Sequence, residues 1–389
     1  MVTIKKGFQM NSFINRTLLF CIILLSFNCH SNDVEKIATQ LFEKAVMSPS
    51  VPGISVAVAD KTGIKWAKGF GFANLEHKVP MTAATKMRIG SVAKVITTAA
   101  LMRLYEKNLI DFKVDIRSYV PEWPEKHKKI NLTQLVSHTS GIRHYRNDEF
   151  LNNGDYATTI DALNIFKHDD LLFTPGSKFS YSTYAWTLIS AAMEKAAGGV
   201  PFKRVIREQV LIPLNLTETT FDDNDTIIPN RQSSYVFSEE ELINAPEVFN
   251  SYKYAGGGLL ATPSNVSKFA IAHTNQNYLK PETLKKMFTM QRLSDGSGNF
   301  FGLGWAIGFN PHIYNAKQDK QNGAEYISLM KKHSNSVMHE GGSVGGVTMT
   351  ILCLDHDHSV TVVKNVSDET SVNVVYLALK TLDLFTPVM

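Results

Sequence analysis

The chain has 389 residues, of which 44% are apolar and 20% are charged. This balance is ordinary for a globular protein with a hydrophobic core, and it excludes disordered, collagen-like and coiled-coil classes for most of the chain. Forty Lys and Arg residues against 36 Asp and Glu residues give a formal net charge of +4. No long block of one sign is present, so we expect no nucleic-acid partner.

The first 31 residues differ in composition from the rest of the chain. Three basic residues precede an apolar run over residues 18–27, which is shorter than the roughly 20 residues that a membrane span needs. This order predicts a secretory signal peptide over residues 1–31, cleaved after Ser31, and an exported protein that is periplasmic or secreted. A start at Met10 would give a more usual signal length. The basic residues are Lys5, Lys6 and Arg16.

Two alternatives to cleavage stay open from the sequence. Lipidation of Cys29, or retention of residues 1–31 as an uncleaved anchor, would hold the protein at a membrane. Cleavage would remove Cys21 and Cys29 and leave Cys353 alone, so the mature chain would form no intramolecular disulfide. Cys353 lies in an apolar run, which predicts a position in the core.

The mature chain begins with a predicted β-hairpin. Residues 54–60 and 64–72 form two strand-like runs, separated by a turn at residues 61–63. Gly90 and Ser91 then open a helix whose apolar positions recur at helical spacing.

The middle of the chain is mostly helical in pattern and the end returns to strands. Helices are predicted over residues 187–197 and 200–211, each followed by glycine or proline. The C-terminal elements are predicted strands over residues 301–309, 337–339, 347–354 and 360–365, and a helix over residues 372–384.

This order of elements predicts an α+β fold. We expect one antiparallel sheet made from both chain ends, about residues 45–85 and 300–385, flanked by helices. A mostly helical region, about residues 90–290, is inserted between the two parts. Together they form one predicted domain over residues 32–385.

A serine and a lysine three residues apart open the predicted helix at residue 91. Ser91 and Lys94 share one face of that helix. At a helix N-terminus, free backbone N–H groups can hold an oxyanion, and the helix dipole with partial burial disfavours a charged lysine. A neutral lysine can accept the serine proton and activate the hydroxyl as a nucleophile.

The same spacing occurs a second time by chance. Ser328 and Lys331 also stand three residues apart, but no following helix is evident there. Only the first pair is therefore taken as a candidate site.

Two further short motifs follow in the chain. Residues 181–183 (Tyr-Ser-Thr) precede a predicted helix, and residues 339–342 (His-Glu-Gly-Gly) end a short strand. Taken alone, the first is an aromatic turn and the second a hairpin corner. Their occurrence in this order after Ser91 and Lys94 favours an active site.

With these motifs, the chain resembles the serine β-lactamase-like family, which includes class C β-lactamases, D-Ala-D-Ala carboxypeptidases and esterases. The family pattern is S-x-x-K, then Y-x-N, then K-T-G or H-x-G. Phrases at residues 87–94, 137–145 and 179–186 look most similar to the branch of the mitochondrial serine β-lactamase-like protein and its bacterial relatives. The resemblance covers about residues 35–385 and implies the β-lactamase/transpeptidase-like fold.

The resemblance implies roles for matching positions. Ser91 would be the acylated nucleophile, Lys94 its base, and Tyr181 the residue that passes a proton to the leaving group. The N–H groups of Ser91 and Gly342 would form the oxyanion hole. His339 would polarise Tyr181 or contact the substrate.

Two departures from the family pattern bear on specificity. Thr183 replaces the usual asparagine and offers one hydroxyl in place of an amide. Glu340 replaces a threonine or serine, and a carboxylate facing the cleft would repel a substrate carboxylate. This change lowers the expectation of efficient β-lactam hydrolysis without affecting acyl chemistry itself.

Two other patterns are interpreted as structural. Residues 341–345 match G-x-S-x-G, but a strand follows instead of the helix that a nucleophile elbow requires. Residues 355–358 (Asp-His-Asp-His) are interpreted as a polar turn between strands, not as a metal site.

The sequence therefore predicts a serine hydrolase that acts through an acyl-enzyme, without a metal or an organic cofactor. Its expected partner is a small-molecule or peptide substrate, with a peptide or peptidoglycan-like amide or a β-lactam-related compound favoured and an ester as the alternative. A non-catalytic structural or penicillin-binding-type role is the alternative of another class. The oligomeric state is not predicted.

Overall fold

The computed structural model describes residues 33–275, 277–309, 322–367 and 372–386. The predicted signal peptide, with Cys29 and the cleavage position, lies outside these residues. Within them, no helix has the length and apolar character needed to cross a membrane.

One antiparallel sheet of seven strands joins the two ends of the chain. Its strand order is β3-β2-β1-β12-β11-β10-β9, so the N-terminal hairpin pairs with the C-terminal strands through β1 and β12. The strands in chain order are β1 (Gly53–Asp60), β2 (Gly63–Asn74), β3 (Val79–Pro80), β4 (Met87–Arg88), β5 (Thr219–Phe221), β6 (Tyr235–Ser238), β7 (Glu241–Asn244), β8 (Leu259–Ala261), β9 (Ala306–Ile307), β10 (Ser336–Ser343), β11 (Gly346–Cys353), β12 (His358–Lys364) and β13 (Val366–Ser367). The predicted α+β fold is confirmed.

Helices cover both faces of this sheet. They are α1 (residues 33–45), α2 (Ala93–Glu106), α3 (Leu132–Val136), α4 (Thr159–Leu163), α5 (Tyr184–Ala196), α6 (Phe202–Ile206), α7 (Tyr254–Gly257), α8 (Pro263–Ile271), α9 (Pro281–Met287), α10 (Gly323–Lys332) and α11 (Val374–Phe385). Side chains alternate between the two faces, as the period of two in a strand requires. Met338 packs on the face that carries α1, α10 and α11, whereas its neighbour Val337 packs on the face of the inserted region.

The inserted region is built around α2 and α5. Eleven of the fourteen residues of α2 are buried, so this helix is enclosed on nearly all sides. The region also contains the small sheet β4-β8-β5 and the strands β6 and β7, which pair with each other, and β6 also pairs with β13. These short strands were not predicted.

One local prediction was wrong. Residues 301–309 do not form one strand, because Gly304 and Gly308 adopt positive φ angles of 77° and 66° and leave only Ala306–Ile307 extended. The pair Ser328 and Lys331 lies within α10, which ends at Lys332, so no helix follows the pair, as expected. The predicted core position of Cys353 is confirmed.

Candidate active site

Strand β10 passes directly beside the turn that carries Ser91. A single 3-10 turn at Gly90–Val92 precedes α2, and Gly90 has a positive φ of 50°. A methyl group added at Gly341 would lie 2.1 Å from the Ile89 carbonyl oxygen, and one added at Gly90 would lie 2.6 Å from the Gly342 oxygen. Glycine at these positions therefore allows the strand to lie against the start of the helix, which brings Gly342 close to Ser91.

Lys94 lies on the first turn of α2 and is completely buried. Its Nζ is 3.0 Å from Ser91 Oγ and 3.1 Å from Thr183 Oγ1. It also donates to the carbonyl oxygen of Gly256 at 2.6 Å. Burial, with the nearby charge of Lys253, holds the pKa of Lys94 well below its usual value.

A neutral Lys94 satisfies all three contacts. Its two hydrogens can be donated to Gly256 and Thr183, which leaves the nitrogen lone pair to accept the Ser91 hydroxyl proton. The predicted pairing of Ser91 and Lys94 thus has the geometry of a nucleophile and its base.

A buried histidine, His138, and a partly buried one, His144, hold the Tyr-Ser-Thr segment in place. The backbone N–H of Ser182 donates to His138 Nδ1 at 3.1 Å, and that of Thr183 donates to His144 Nδ1 at 3.3 Å. The ring of His138 also stacks on Tyr181, with ring centroids 4.2 Å apart. These histidines were not identified from the sequence as site residues, although both lie in the phrase at residues 137–145.

Tyr181 lies beside both Lys94 and Ser91. The Lys94 nitrogen is 4.9 Å from the centre of its ring. Burial raises the pKa of the Tyr181 hydroxyl, and an interaction with the Ser91 hydroxyl partly opposes this increase. The phenol is therefore neutral near pH 7 and can donate a proton.

His339 is a neutral residue in this site. Its Nδ1 lies 2.6 Å from the Glu340 carbonyl oxygen, so Nδ1 carries the proton and Nε2 is an acceptor. Nε2 is buried without a hydrogen-bond partner among the described residues. Burial, with a smaller contribution from the neighbouring Lys94, lowers the pKa of His339 to about 3. This histidine cannot supply the positive charge of the lysine found there in other family members.

A cavity of about 480 Å³ opens above Ser91. The predicted residues Tyr181, Thr183, His339 and Gly342 all line it, and so does Glu340. Glu340 is exposed at the cavity, and partial desolvation by the cavity wall raises the pKa of its carboxyl group. Much of the remaining wall is aromatic: Tyr145, Phe150, Phe179 and Phe301.

Lys253 also lines the cavity, and sequence reasoning missed it. Only 4% of this residue is exposed, and its Nζ lies 4.7 Å from the ring centre of Phe150 and 5.6 Å from that of Tyr145. Among the described residues, no hydrogen bond or ion pair to its amine is found. Burial and the charge of Arg88 lower the pKa of Lys253 to about 7, although Asp222 opposes this. Its position between two tyrosines is the one sequence signal that could have indicated it.

A buried ion pair supports the floor of the site. Arg88 Nε donates to Asp222 at 2.7 Å, and Arg88 Nη1 donates to the Val344 carbonyl oxygen at 2.8 Å. Asn250 Nδ2 donates to the same carboxylate at 2.6 Å. These contacts connect the strand before Ser91 with the β10–β11 turn.

The glycine-rich segment after His339 is a strand and a turn, as expected. Ser343 lies at the end of β10, and its Oγ donates to the Gly346 carbonyl oxygen at 3.1 Å. It does not sit on a nucleophile elbow.

A serine in contact with a buried lysine whose neutral form is favoured, on this combination of sheet and helices, is the arrangement of a serine hydrolase. The family model described as Beta-lactamase matches residues 38–380, so the chain belongs to the β-lactamase family. It is a serine hydrolase of that family.

Relatives in sequence and structure agree with this assignment. The chain is 27% identical over 412 residues to the human mitochondrial serine β-lactamase-like protein LACTB, covering 83% of this chain and 72% of the relative. The fold is similar to EstCE1, a hydrolase with promiscuous acyltransferase activity, with a TM-score of 0.74, 21% identity and coverage of 91% and 99%. It is also similar to a D-amino acid amidase from Ochrobactrum anthropi, with a TM-score of 0.75, 17% identity and coverage of 90% and 98%.

Proposed function

We propose that Ser91 attacks an amide or ester carbonyl and forms an acyl-enzyme that water then hydrolyses. The observation that carries this proposal is the 3.0 Å contact between Ser91 Oγ and the Nζ of a fully buried Lys94. A lysine in this environment is an acceptor for the serine proton, because its neutral form is favoured.

The steps follow from the positions of the groups. As the bond between Ser91 Oγ and the substrate carbonyl carbon forms, the proton of the Ser91 hydroxyl moves to Lys94. The N–H groups of Ser91 and Gly342 stabilise the resulting oxyanion. Tyr181 donates a proton to the leaving amine or alcohol as its bond to carbon breaks, and regains one from Lys94. Water then attacks the ester of Ser91, and the reverse proton movements release the acid. The chain's own residues supply every group in this scheme, without a metal or organic cofactor.

The substrate we favour is a small peptide or peptidoglycan-like amide that carries an anionic group. The aromatic wall of the cavity accepts an apolar side chain, and Lys253 offers an unpaired amine for a carboxylate. Glu340 on another part of the wall would exclude a carboxylate from the region beside His339. An ester, or a β-lactam-related compound, is the second candidate, since the same acyl chemistry applies.

Intact-protein mass spectrometry tests the proposal. The mature chain and its Ser91→Ala variant are incubated with a fluorophosphonate and, separately, with a penicillin. We expect one phosphonate adduct on the unmodified protein and none on Ser91→Ala. A penicillin adduct as well would point to cell-wall-type substrates, whereas a phosphonate adduct alone would point to a peptidase or esterase.

Ser328→Ala is the matched control, because it removes the serine of the second S-x-x-K pair. This variant should react with the fluorophosphonate like the unmodified protein, because Ser328 and Lys331 are both exposed on α10 and lie outside the cavity. Absence of an adduct with either reagent on folded protein would contradict the mechanism and favour a non-catalytic structural or penicillin-binding-type role.

We also propose that the protein is exported, on the composition of residues 1–31. A basic segment followed by a short apolar run is the pattern of a secretory signal. A retained segment or a lipid on Cys29 would instead place the protein at a membrane.

A further inference from the structure

A second group of chemically active side chains lies on the opposite face of the main sheet from Ser91. We call His333, Cys353 and His356 the His–Cys–His cluster. His333 ends α10, Cys353 is the last residue of β11, and His356 lies in the turn to β12. Cys353 packs with the core of α1, α10 and α11, not with the inserted region.

The cluster is also at the far end of the strand from the candidate active site. Gly342 pairs with Val347 near the start of β11, whereas Cys353 ends that strand. At about 3.3 Å per residue, six residues separate the two positions by roughly 20 Å. The cluster is therefore independent of the acyl chemistry.

Three donor atoms converge in this cluster. Cys353 Sγ lies 3.2 Å from His356 Nδ1 and 3.9 Å from His333 Nδ1. All three atoms lie within 4.8 Å of one another. Zinc with bonds of about 2.0 Å to nitrogen and 2.3 Å to sulfur holds tetrahedral donors roughly 3.3–3.7 Å apart, so the donors that lie farthest apart would close by up to about 1.5 Å on binding.

An acidic residue orients His333, one of the two fully buried donors. His333 Nε2 lies 3.1 Å from Asp383 Oδ1 on α11, and the side chain of His333 is fully buried. A carboxylate can only accept, so Nε2 carries the proton and the lone pair of Nδ1 points towards Cys353. This carboxylate–histidine arrangement is the usual support of a metal-binding imidazole.

We propose that the His–Cys–His cluster binds a single Zn²⁺ ion through Cys353 Sγ and the Nδ1 atoms of His333 and His356. Two imidazoles and one thiolate are ligands that zinc prefers, and the partly exposed His356 leaves the fourth position open to water. Binding deprotonates the thiol and releases its proton to solvent. The ion would tie the end of α10 to the β11–β12 turn and, through Asp383, to α11.

Metal analysis of the full mature chain tests the proposal. Protein is stripped with a chelator, incubated with Zn²⁺ alone or Co²⁺ alone, desalted, and measured for bound metal and thermal midpoint. We expect one Zn²⁺ per chain, a midpoint raised by about 5 °C when free Zn²⁺ is roughly 100-fold above its Kd, and a sulfur-to-cobalt absorption band with Co²⁺.

Two variants remove ligands, and a third serves as their control. Cys353→Ser and His356→Ala should each lose the bound metal, the midpoint shift and the cobalt band. His358→Ala removes a neighbouring histidine whose Nδ1 faces the His356 carbonyl oxygen, so it should keep all three. His356 is on a partly exposed turn, which allows its variant to fold.

The opposite pattern would overturn the proposal. If the folded, metal-free protein takes up no Zn²⁺, the cluster is held by hydrogen bonds alone. If Cys353→Ser and His356→Ala both keep the metal, the ion binds elsewhere on the protein. Labelling of Ser91 by a fluorophosphonate should be the same with and without the metal.

Discussion

At the scale of single residues, the two buried lysines of the candidate site have different contacts and are therefore suited to different roles. Lys94 lies within hydrogen-bond distance of Ser91, and its lowered pKa makes it a proton acceptor. Lys253 contacts aromatic rings instead, and its pKa of about 7 means that it changes charge close to neutral pH. Below that pH the amine is cationic and can bind an anion; above it, the amine is neutral.

We predict that Lys253→Met raises KM for a peptide substrate with a free carboxylate by about 10–100-fold at pH 6. A hydrogen bond to a charged group contributes about 1.5–3 kcal/mol, and methionine keeps most of the apolar stem of the side chain. At pH 9 the unmodified protein has lost the charge, so the two proteins should have similar KM values. The measurement is KM and kcat against pH for both.

The matched substrate for this prediction is the same peptide with its carboxylate amidated. Its KM should change little on substitution at either pH. An equal loss for both substrates would mean that Lys253 only supports the cavity wall.

At the scale of elements, the site depends on the contact between β10 and the start of α2. Gly341 has no room for a side chain, because the Ile89 carbonyl oxygen would lie 2.1 Å from its Cβ. Gly342, the next residue, has nothing within 4 Å of a Cβ atom. Two adjacent glycines of one strand thus meet opposite steric conditions.

We predict that Gly341→Ala lowers the free energy of unfolding by about 1–3 kcal/mol, because backbone must move to relieve the clash. Gly342→Ala should change it by less than about 0.5 kcal/mol. Chemical denaturation of both variants measures the difference. Equal destabilisation would show that the strand does not press against the Ser91 turn.

At the scale of the whole molecule, the two chain ends complete one sheet. Strands β1 and β12 pair over seven residues, so neither the N-terminal hairpin nor the C-terminal strands form the sheet alone. The proposed catalytic residues come from two parts of the chain: Ser91 and Lys94 lie in the inserted region, and His339 and Gly342 lie on β10.

We predict that the exported protein begins at Asn32, because cleavage after Ser31 removes the signal and leaves the described fold intact. Its intact mass after expression in a bacterial host with a secretion pathway measures this. A Cys29→Ser variant should have the same mature mass. A mass that includes residues 1–31, or an added diacylglycerol on Cys29, would contradict the prediction.

Local patterns were sufficient to predict much of the fold. The hairpin at residues 54–72, the helix behind Ser91 and the C-terminal strand pair all have strong periodicity, and the structure places an element at each. The strand predicted over residues 301–309 was wrong, since glycine φ angles interrupt it. The short strands β4 to β8 have too few residues for a periodic signal, and α1 was not recognised.

The residues of the candidate site were also predicted only in part from the sequence. Ser91 and Lys94 are three residues apart on one helix, so their contact follows from helical geometry. Tyr181, Thr183, His339 and Gly342 were placed by resemblance to family motifs, and the structure brings them around one cavity with Ser91. Lys253, His138 and His144 belong to no motif that reveals their role, because their neighbours come from distant parts of the chain.

The sequence by itself determined the class of fold, the Ser91–Lys94 pair and the buried position of Cys353, since each depends on nearby residues and on apolar patterning. Only the tertiary structure determined the charge states of the buried lysines and the presence of the His–Cys–His cluster. The pKa of Lys253 depends on burial beneath aromatic rings, and the His–Cys–His cluster depends on three elements meeting at one end of the sheet. Burial and convergence are properties of packing between distant segments, and no local pattern encodes them.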